Sequence, residues 1–146
     1  MKVLFDTNIF VAAMIESHPN HPISLPWIKQ ARSKEITGYI STHSIAELYA
    51  VITRLPLINS INPKQAQEII INNLKTFNTI DLGSDDYLAV LKNVSQLNIV
   101  GGGIYDAIIA QAALKANVDI LLTLNPKHFT RLGENITRMI KHPSSE

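Results

Sequence analysis

Short stretches rich in β-forming residues alternate with longer helical patterns along this chain, and no other feature restricts its fold as strongly. Strands are predicted near residues 3–6, 39–41, 79–82, 120–123 and 137–140. Helices are predicted between them, beginning near Thr7, Pro22, His43, Pro63, Ser84 and Ile104. Strands joined through helices pair in parallel, and the helices then cover both faces of the sheet. The pattern therefore predicts an α/β fold with a mostly parallel central sheet flanked by helices.

The length and composition favour one domain. The chain has 146 residues, of which 46% are hydrophobic, enough for one compact core and too few for two. We predict a single domain over residues 1–141 and a flexible tail over residues 142–146. No apolar run is long enough to span a bilayer, and the chain has no cysteine for disulfides or thiolate metal sites. These features predict a soluble, cytoplasmic protein without a membrane partner.

The net charge excludes one mode of binding. A formal charge of +1 at pH 7 rules out a basic coat over the whole chain, so a polyanion would have to meet a local patch. Basic side chains gather near the carboxyl end, where Glu134 is the only acid among them: Lys127, His128, Arg131, Arg138 and Lys141. We predict that any nucleic acid would contact this stretch.

Three carboxylates occupy positions that a parallel sheet would bring together. Asp6 closes the apolar run 3–5 and opens a helix, while Glu47 and Asp106 lie in the opening turns of later helices. The carboxyl ends of parallel strands share one edge of the sheet, which is where open α/β sheets bind their ligands. We therefore expect the three acids to converge at that edge.

These acids need a cation that their own helices do not supply. An ionised carboxylate in apolar surroundings is costly unless it is paired or binds a metal, and neither Glu47 nor Asp106 has a Lys or Arg nearby on its helix. Carboxylate oxygens suit Mg²⁺ or Mn²⁺, which share their coordination with water and substrate phosphates. Such an ion activates water and holds the reacting oxygens of a phosphodiester in line. The acids therefore predict metal-dependent phosphoryl chemistry.

Each acid also has an ordinary structural role open to it. Asp6 could be only the N-cap of the following helix, Glu47 a solvated helix side chain, and Asp106 a first-turn acid favoured by the helix dipole. Their occurrence together is what favours a functional site.

Several other polar residues are predicted to lie outside that site. Asp119 begins a strand and therefore belongs to the far edge of the sheet, and the pair Asp85-Asp86 is predicted to cap a helix. His43 precedes Glu47 by one helical turn and could touch the site, but it is interpreted as a surface residue near a helix start. His18 and His21 have a spacing that suggests zinc, but a proline-broken loop and the lack of a third nearby ligand argue against it.

Four sequence blocks, in order, resemble the signature blocks of the PIN-domain family, and most closely those of its VapC-like toxins. The blocks are Asp6-Thr7-Asn8-Ile9, Ser44-Ile45-Ala46-Glu47-Leu48, Tyr105-Asp106-Ala107-Ile108-Ile109-Ala110 and Leu121-Leu122-Thr123-Leu124-Asn125-Pro126-Lys127-His128-Phe129. Together they span nearly the whole chain. The resemblance implies a PIN-like three-layer fold and a Mg²⁺- or Mn²⁺-dependent endoribonuclease that cleaves single-stranded RNA.

The resemblance also assigns roles to individual residues. It implies that Asp6, Glu47 and Asp106 are the catalytic, metal-binding acids. Thr7, Asn8 and Thr123 would be the supporting hydroxyl and amide groups. Asn125 departs from the pattern, because many family members have a fourth acid there; we predict that it contributes weakly to the site or orients water.

The remaining expectations concern partners. Lys127 and Arg131 are candidates to hold the RNA backbone. By resemblance to the toxins, the protein is expected to be a homodimer controlled by a cognate antitoxin protein, with apolar surface for burial around Leu25, Trp27 and Ile28 and over residues 69–74.

Two other functions remain open to the sequence. Without the fourth acid, the chain could be a catalytically inert PIN-fold module that binds RNA or a protein partner. An aspartyl-phosphate phosphatase fits poorly, because such enzymes usually carry a second Asp two residues after the nucleophile, where this chain has Asn8.

Overall fold

The computed structural model describes residues 1–57 and 59–145. Within those residues the chain forms five strands and eight helices. The strands are β1 (Lys2–Phe5), β2 (Thr37–Ser41), β3 (Asn78–Ile80), β4 (Ile120–Leu122) and β5 (Ile140–Lys141). The helices are α1 (Thr7–Met14), α2 (His21–Arg32), α3 (Thr42–Ile52), α4 (Pro63–Leu74), α5 (Ser84–Gln96), α6 (Gly103–Lys115), α7 (Pro126–Thr130) and α8 (Glu134–Thr137).

All strand pairs in the sheet are parallel, and the strand order is β3-β2-β1-β4-β5. The predicted α/β architecture is therefore confirmed. β1 lies in the middle, and its register with β4 places Phe5 opposite Leu122. The residues that follow these two strands, Asp6 and Thr123, therefore lie side by side at the carboxyl edge of the sheet. There the Asp6 amide donates a hydrogen bond to the Leu122 carbonyl at 2.9 Å.

The two faces of β1 build two separate cores. Val3 and Phe5 pack with buried residues of α1 to α4, whereas Leu4 packs with those of α5 to α8. This division follows from the strand geometry, because successive side chains point to opposite faces. On the first face, the ring centroids of Phe5 and Phe10 are 5.6 Å apart and those of Phe5 and Phe77 are 5.1 Å apart. Helices therefore cover both faces of the middle strand.

The carboxyl-terminal region differs from the sequence prediction. The strand predicted over residues 137–140 is wrong in its position, because Thr137 ends α8 and β5 covers Ile140–Lys141. The Thr137 hydroxyl donates to the Gly133 carbonyl at 2.9 Å, and Arg138 pairs with Glu134 at 2.8 Å, so local contacts favour a helical turn. The short helices α7 and α8 were not predicted, because so few residues carry little periodic signal.

The predicted boundary between domain and tail at residue 141 stays a prediction. In the described part of the tail, Pro143 is buried and its carbonyl accepts a hydrogen bond from Trp27 Nε1 at 3.1 Å. Glu146, the last residue of the predicted tail, lies outside the described residues.

Part of the apolar surface expected on α2 is absent. Ile28 is only 1% exposed and belongs to the core, so the prediction that it offers surface to a partner is wrong. Leu25 and Trp27 pack partly against the same core. On α4, Ile70 is buried but Ile71 is 49% exposed. Among the helices of the described residues, none is long and apolar enough to cross a membrane.

Candidate active site

Asp6 lies where β1 passes into α1, and both oxygens of its carboxylate are held. Oδ1 accepts a hydrogen bond from the Thr7 amide at 2.8 Å, which makes Asp6 the N-cap of α1. Oδ2 accepts one from the Thr123 hydroxyl at 2.7 Å. The residue is buried, with 6% of its surface exposed. The capping role considered from the sequence is therefore real, but it does not explain why the second oxygen is fixed as well.

Thr123 connects Asp6 to the loop that leads into α7. Its hydroxyl donates to Asp6 and accepts from the Asn125 amide at 3.0 Å and from Asn8 Nδ2 at 3.5 Å. Asn8 Oδ1 in turn accepts from the Leu124 amide at 3.3 Å. Thr123 and Asn8 thus hold the carboxyl ends of β1 and β4 in one arrangement around the Asp6 carboxylate.

The charge of Asp6 is unfavourable in these surroundings. Its pKa is raised from the ordinary value of 3.8 to about 7, mainly by burial and also by the charges of Asp106 and Glu47, while the hydrogen bonds from Thr123 and Thr7 oppose the rise. The charges of Asp106 and Glu47 thus act on Asp6, as expected if the three acids lie near one another. A carboxylate held in this way favours a proton or a metal cation.

Glu47 reaches this edge from α3. Ser41 is the N-cap of this helix, and its hydroxyl oxygen accepts from the Ser44 amide at 3.1 Å. His43, one turn before Glu47, brings its Nε2 within 3.4 Å of Glu47 Oε2. His43 thus contacts one of the predicted site acids, the alternative that the sequence left open. The spacing of four residues on one helix was the sequence signal for this contact.

Asp106 reaches the same edge from the first turn of α6. Its Oδ2 lies 3.7 Å from Arg131 Nη2 and 3.8 Å from His128 Nδ1. Burial raises the pKa of Asp106; His128 and Arg131 oppose this rise, and Glu47 adds to it. The expectation of acids without any cation from the chain is thus wrong for Asp106, because α7 supplies one that the local sequence of α6 does not reveal.

Gly103 makes room for this contact. A Cβ atom built on Gly103 would lie 2.6 Å from Arg131 Nη2, which is closer than real Cβ atoms approach other groups. A side chain at residue 103 would therefore force Arg131 or Ile99 to shift. In the sequence, the run Gly101-Gly102-Gly103 indicates a loop and gives no sign of this contact.

The other predicted site residues lie along the start of α7 and α1. Asn125 is exposed and is the residue before the first turn of α7, but its side chain makes no capping hydrogen bond. Lys127 is exposed on the same helix. Thr7 is buried, and its hydroxyl oxygen has no hydrogen-bond partner among the described residues. A buried, unpartnered hydroxyl beside Asp6 is a donor atom that a ligand could satisfy.

The donor set at this edge is composed of oxygen, which fits Mg²⁺ or Mn²⁺. It comprises the carboxylates of Asp6, Glu47 and Asp106 and the hydroxyl of Thr7. As they stand, however, no three His, Asp or Glu side chains in residues 1–57 and 59–145 form a group that could hold a metal ion. In this arrangement Asp106 lies beside Arg131 and Glu47 lies beside His43, so two of the three acids have separate neighbours.

The acids predicted to lie outside the site do so. Asp119 Oδ2 accepts from the Lys2 amide at 2.7 Å, at the opposite end of β1. Asp86 accepts from the Gly83 amide at 2.9 Å and therefore does cap α5. His18 Nδ1 accepts from a neighbouring amide and His21 Nδ1 contacts the Ala12 carbonyl, so these two rings serve separate local contacts.

Comparisons with known proteins agree with this fold. A family model described as PIN domain matches residues 3–135. Ribonuclease VapC27 of Mycobacterium tuberculosis (strain ATCC 25618 / H37Rv) is 25% identical over 115 residues, which cover 79% of this chain and 79% of that protein. The fold is similar to that of VapBC2 from Rickettsia felis, solved bound to a DNA fragment from its promoter, with a TM-score of 0.69, 23% identity and coverage of 97% and 98% of the two chains. It is also similar to Mycobacterium tuberculosis VapC20, described as a sarcin-ricin loop cleaving toxin, with a TM-score of 0.65, 12% identity and coverage of 82% and 86%.

Proposed function

This chain belongs to the PIN-domain family, and we propose that it is an endoribonuclease that cleaves single-stranded RNA as the toxin of a toxin–antitoxin pair. The observation that carries the proposal is Asp6, a buried carboxylate held by two hydrogen bonds at the carboxyl edge of a parallel sheet, with its charge opposed by those of Asp106 and Glu47. The names of the relatives support it, because VapC27 is a ribonuclease and VapC20 is described as cleaving the sarcin-ricin loop.

The cofactor in this proposal is Mg²⁺ or Mn²⁺, held by Asp6, Glu47 and Asp106. When bound, the ion would polarise a phosphoryl oxygen and lower the pKa of a coordinated water. The fit rests on the all-oxygen donor set and on the raised pKa of Asp6, because a bound cation would stabilise the ionised form of this buried carboxylate. Arg131 supplies a positive charge to Asp106 in the structure described above.

The protein itself contributes orientation and charge. Thr123 and Thr7 fix both oxygens of Asp6, so that this carboxylate cannot rotate away from the edge. Arg131, the residue after α7, lies beside Asp106, and Lys127 is exposed on α7; we propose that their charges attract an RNA phosphate. Asn125 offers a neutral carbonyl oxygen in place of a fourth carboxylate.

Cleavage of an unpaired RNA at increasing Mg²⁺ or Mn²⁺ tests this proposal. We expect cleavage only with the metal, and its loss in the Asp106→Asn variant with the fold retained. Asp85→Asn is the matched control, because Asp85 is an exposed acid on α5. Equal cleavage by wild type and Asp106→Asn would refute the proposal. If neither cleaves but both bind RNA, the alternative of an inert binding module, which the replacement at Asn125 favours, would replace it.

The partner proposed for the toxin is a cognate antitoxin, and the toxin itself is proposed to be a homodimer. The similarity to a VapBC complex supports the first part. An apolar groove of about 640 Å³ between α3 and α4, lined by residues that include Ile45, Tyr49 and Ile71, offers surface for burial against another chain. Light scattering that shows a monomer at every concentration, with no effect of a co-expressed antitoxin, would count against both parts.

A further inference from the structure

Two aromatic rings from different helices stack beside the acids. The ring centroids of His43 and Tyr105 are 5.4 Å apart, and the ring planes are inclined by only 11°. His43 lies one turn before Glu47 on α3, and Tyr105 directly precedes Asp106 on α6. The stacked pair therefore joins the openings of the two helices that carry these acids.

This pair is held in place and yet remains open to solvent. The His43 ring is fixed from one side by Glu47, whose Oε2 is 3.4 Å from Nε2. Tyr105 is 51% exposed, although one face of its ring lies against His43. A ring that served only to join two helices would gain most from full burial. Half of Tyr105 is instead presented to solvent in a fixed orientation.

An aromatic face held beside an acidic site matches the way in which proteins bind unpaired RNA. Such proteins stack exposed bases on aromatic side chains, with little dependence on sequence, because every base has a flat π-face. Base stacking would add attraction to that of Arg131, since charge acts on the phosphates and not on the bases.

We propose that Tyr105, backed by His43, binds an unpaired base of the RNA by stacking and thereby positions the RNA backbone against Asp106. The inference rests on the proposed function and deepens it, because it names a contact that selects unpaired RNA. A base in a continuous duplex is already stacked on both faces and is unavailable to Tyr105. The residue is therefore assigned a role in substrate recognition.

The test uses a short unpaired RNA with the fluorescent base 2-aminopurine placed at successive positions, mixed with the protein in EDTA so that binding is separated from cleavage. We expect the wild type to quench the fluorescence at one or two positions. Tyr105→Phe keeps the ring and should keep both quenching and affinity. Tyr105→Leu keeps apolar packing but removes the ring, so quenching should disappear and Kd should rise about tenfold.

Two further variants act as controls. Tyr87→Leu removes a half-exposed tyrosine from α5, a helix that carries none of the three acids, and should change neither quenching nor affinity. Tyr105→Trp enlarges the stacking face and should preserve quenching and maintain or tighten binding. Thermal melting of every variant reports whether the fold is intact. If Tyr105→Leu does not fold, Tyr105→Phe and Tyr105→Trp decide the matter, and loss of quenching in both overturns the proposal.

The outcomes separate this inference from the proposed function. If wild type binds the RNA but quenches no position, or if Tyr105→Leu binds as wild type does, stacking is refuted while RNA cleavage still stands on its own assay. If wild type neither binds nor cleaves unpaired RNA, the proposed function fails and the stacking contact fails with it.

Discussion

Asp6 and Asp86 occupy similar positions in the chain but have opposite surroundings. Each accepts a hydrogen bond from a backbone amide at the start of a helix, from Thr7 in one case and from Gly83 in the other. Asp86 also accepts from Lys115 Nζ at 2.8 Å, and this bond is the first cause that lowers its pKa to about 2. Asp6 is buried, and its pKa rises to about 7.

The comparison shows how a structural acid differs from one suited to ligand binding. Asp86 has a cation from its own chain, supplied by α6, and is therefore stable as a carboxylate. Asp6 is surrounded by hydrogen-bond donors that orient it and by two acids that oppose its charge. Capping a helix is common to both, so it does not distinguish them. The distinguishing property is whether the fold itself neutralises the charge.

The largest expected effect is a difference in RNA cleavage between variants of Asp6 and Asp86. Asp6→Asn should reduce RNA cleavage by about a thousandfold or more, because a metal ligand is worth several kcal/mol to phosphodiester cleavage. Asp86→Asn should leave the cleavage rate close to that of wild type. Single-turnover cleavage at saturating metal measures both variants, with circular dichroism as a check of folding. Comparable losses in the two variants would remove the distinction drawn here.

The next effect is on stability without metal and depends on pH. Because folding raises the pKa of Asp6 from 3.8 to about 7, the folded protein binds a proton between these values that the unfolded chain releases. This group therefore lowers the free energy of unfolding as pH rises from about 4 to about 7, by an amount of the order of a few kcal/mol. Asp6→Asn removes the dependence.

Urea unfolding of wild type and Asp6→Asn in EDTA at several pH values checks this prediction. The stability of the variant relative to wild type should increase from pH 4 to pH 7 and then remain level. Saturating Mg²⁺ or Mn²⁺ should reverse the order at pH 8, because the ion stabilises only the wild type strongly. A stability difference that stays constant with pH would show that burial does not oppose the charge of Asp6.

Much of this acidic edge could be predicted from local sequence. The apolar run before Asp6 specified a buried strand, and the helices around Glu47 and Asp106 were recognised from their periodicity. The parallel arrangement then required the three acids to meet. What the sequence did not predict depends on contacts between distant segments. Arg131, which follows the five-residue helix α7, lies beside Asp106, and Gly103 leaves room for its guanidinium.

The stack of His43 on Tyr105 was missed for the same reason. Its two members lie on helices that are far apart in sequence, and each has an ordinary surface environment when only its neighbours in the chain are considered. The pairing of Asp86 with Lys115 was equally hidden, although the capping role of Asp86 was predicted correctly. Local patterns thus located the acids but did not show which of them the fold neutralises.

A smaller effect is expected from restoring the charge that Asn125 lacks. Asn125→Asp adds a carboxylate next to Thr123, whose hydroxyl accepts from the backbone amide of residue 125. Metal affinity measured by calorimetry should increase about tenfold, and the activity curve should shift to lower Mg²⁺ or Mn²⁺, as expected for a nearby ligand. Asn125→Ala should cost much less activity than Asp6→Asn. Unchanged affinity in Asn125→Asp, or inactivity of Asn125→Ala, would show that this position is not a weakened fourth ligand.

The smallest effect concerns the stability contributed by Asp86. Folding lowers the pKa of this group from 3.8 to about 2, so the carboxylate stabilises the folded protein above about pH 4, and this contribution is lost as pH falls towards 2. Asp86→Asn should therefore lower the melting temperature slightly at pH 7 and have less effect at pH 2 to 3, the opposite pH dependence from that of Asp6→Asn. Lys115→Met should also lower the melting temperature at pH 7, and the double variant should lose less than the sum of the two single losses, because both changes remove the contact between Lys115 and Asp86. Additive losses in the double variant would mean that Asp86 is stabilised mainly by the Gly83 amide. The contact with Lys115 would then not explain why Asp86 and Asp6 differ in pKa.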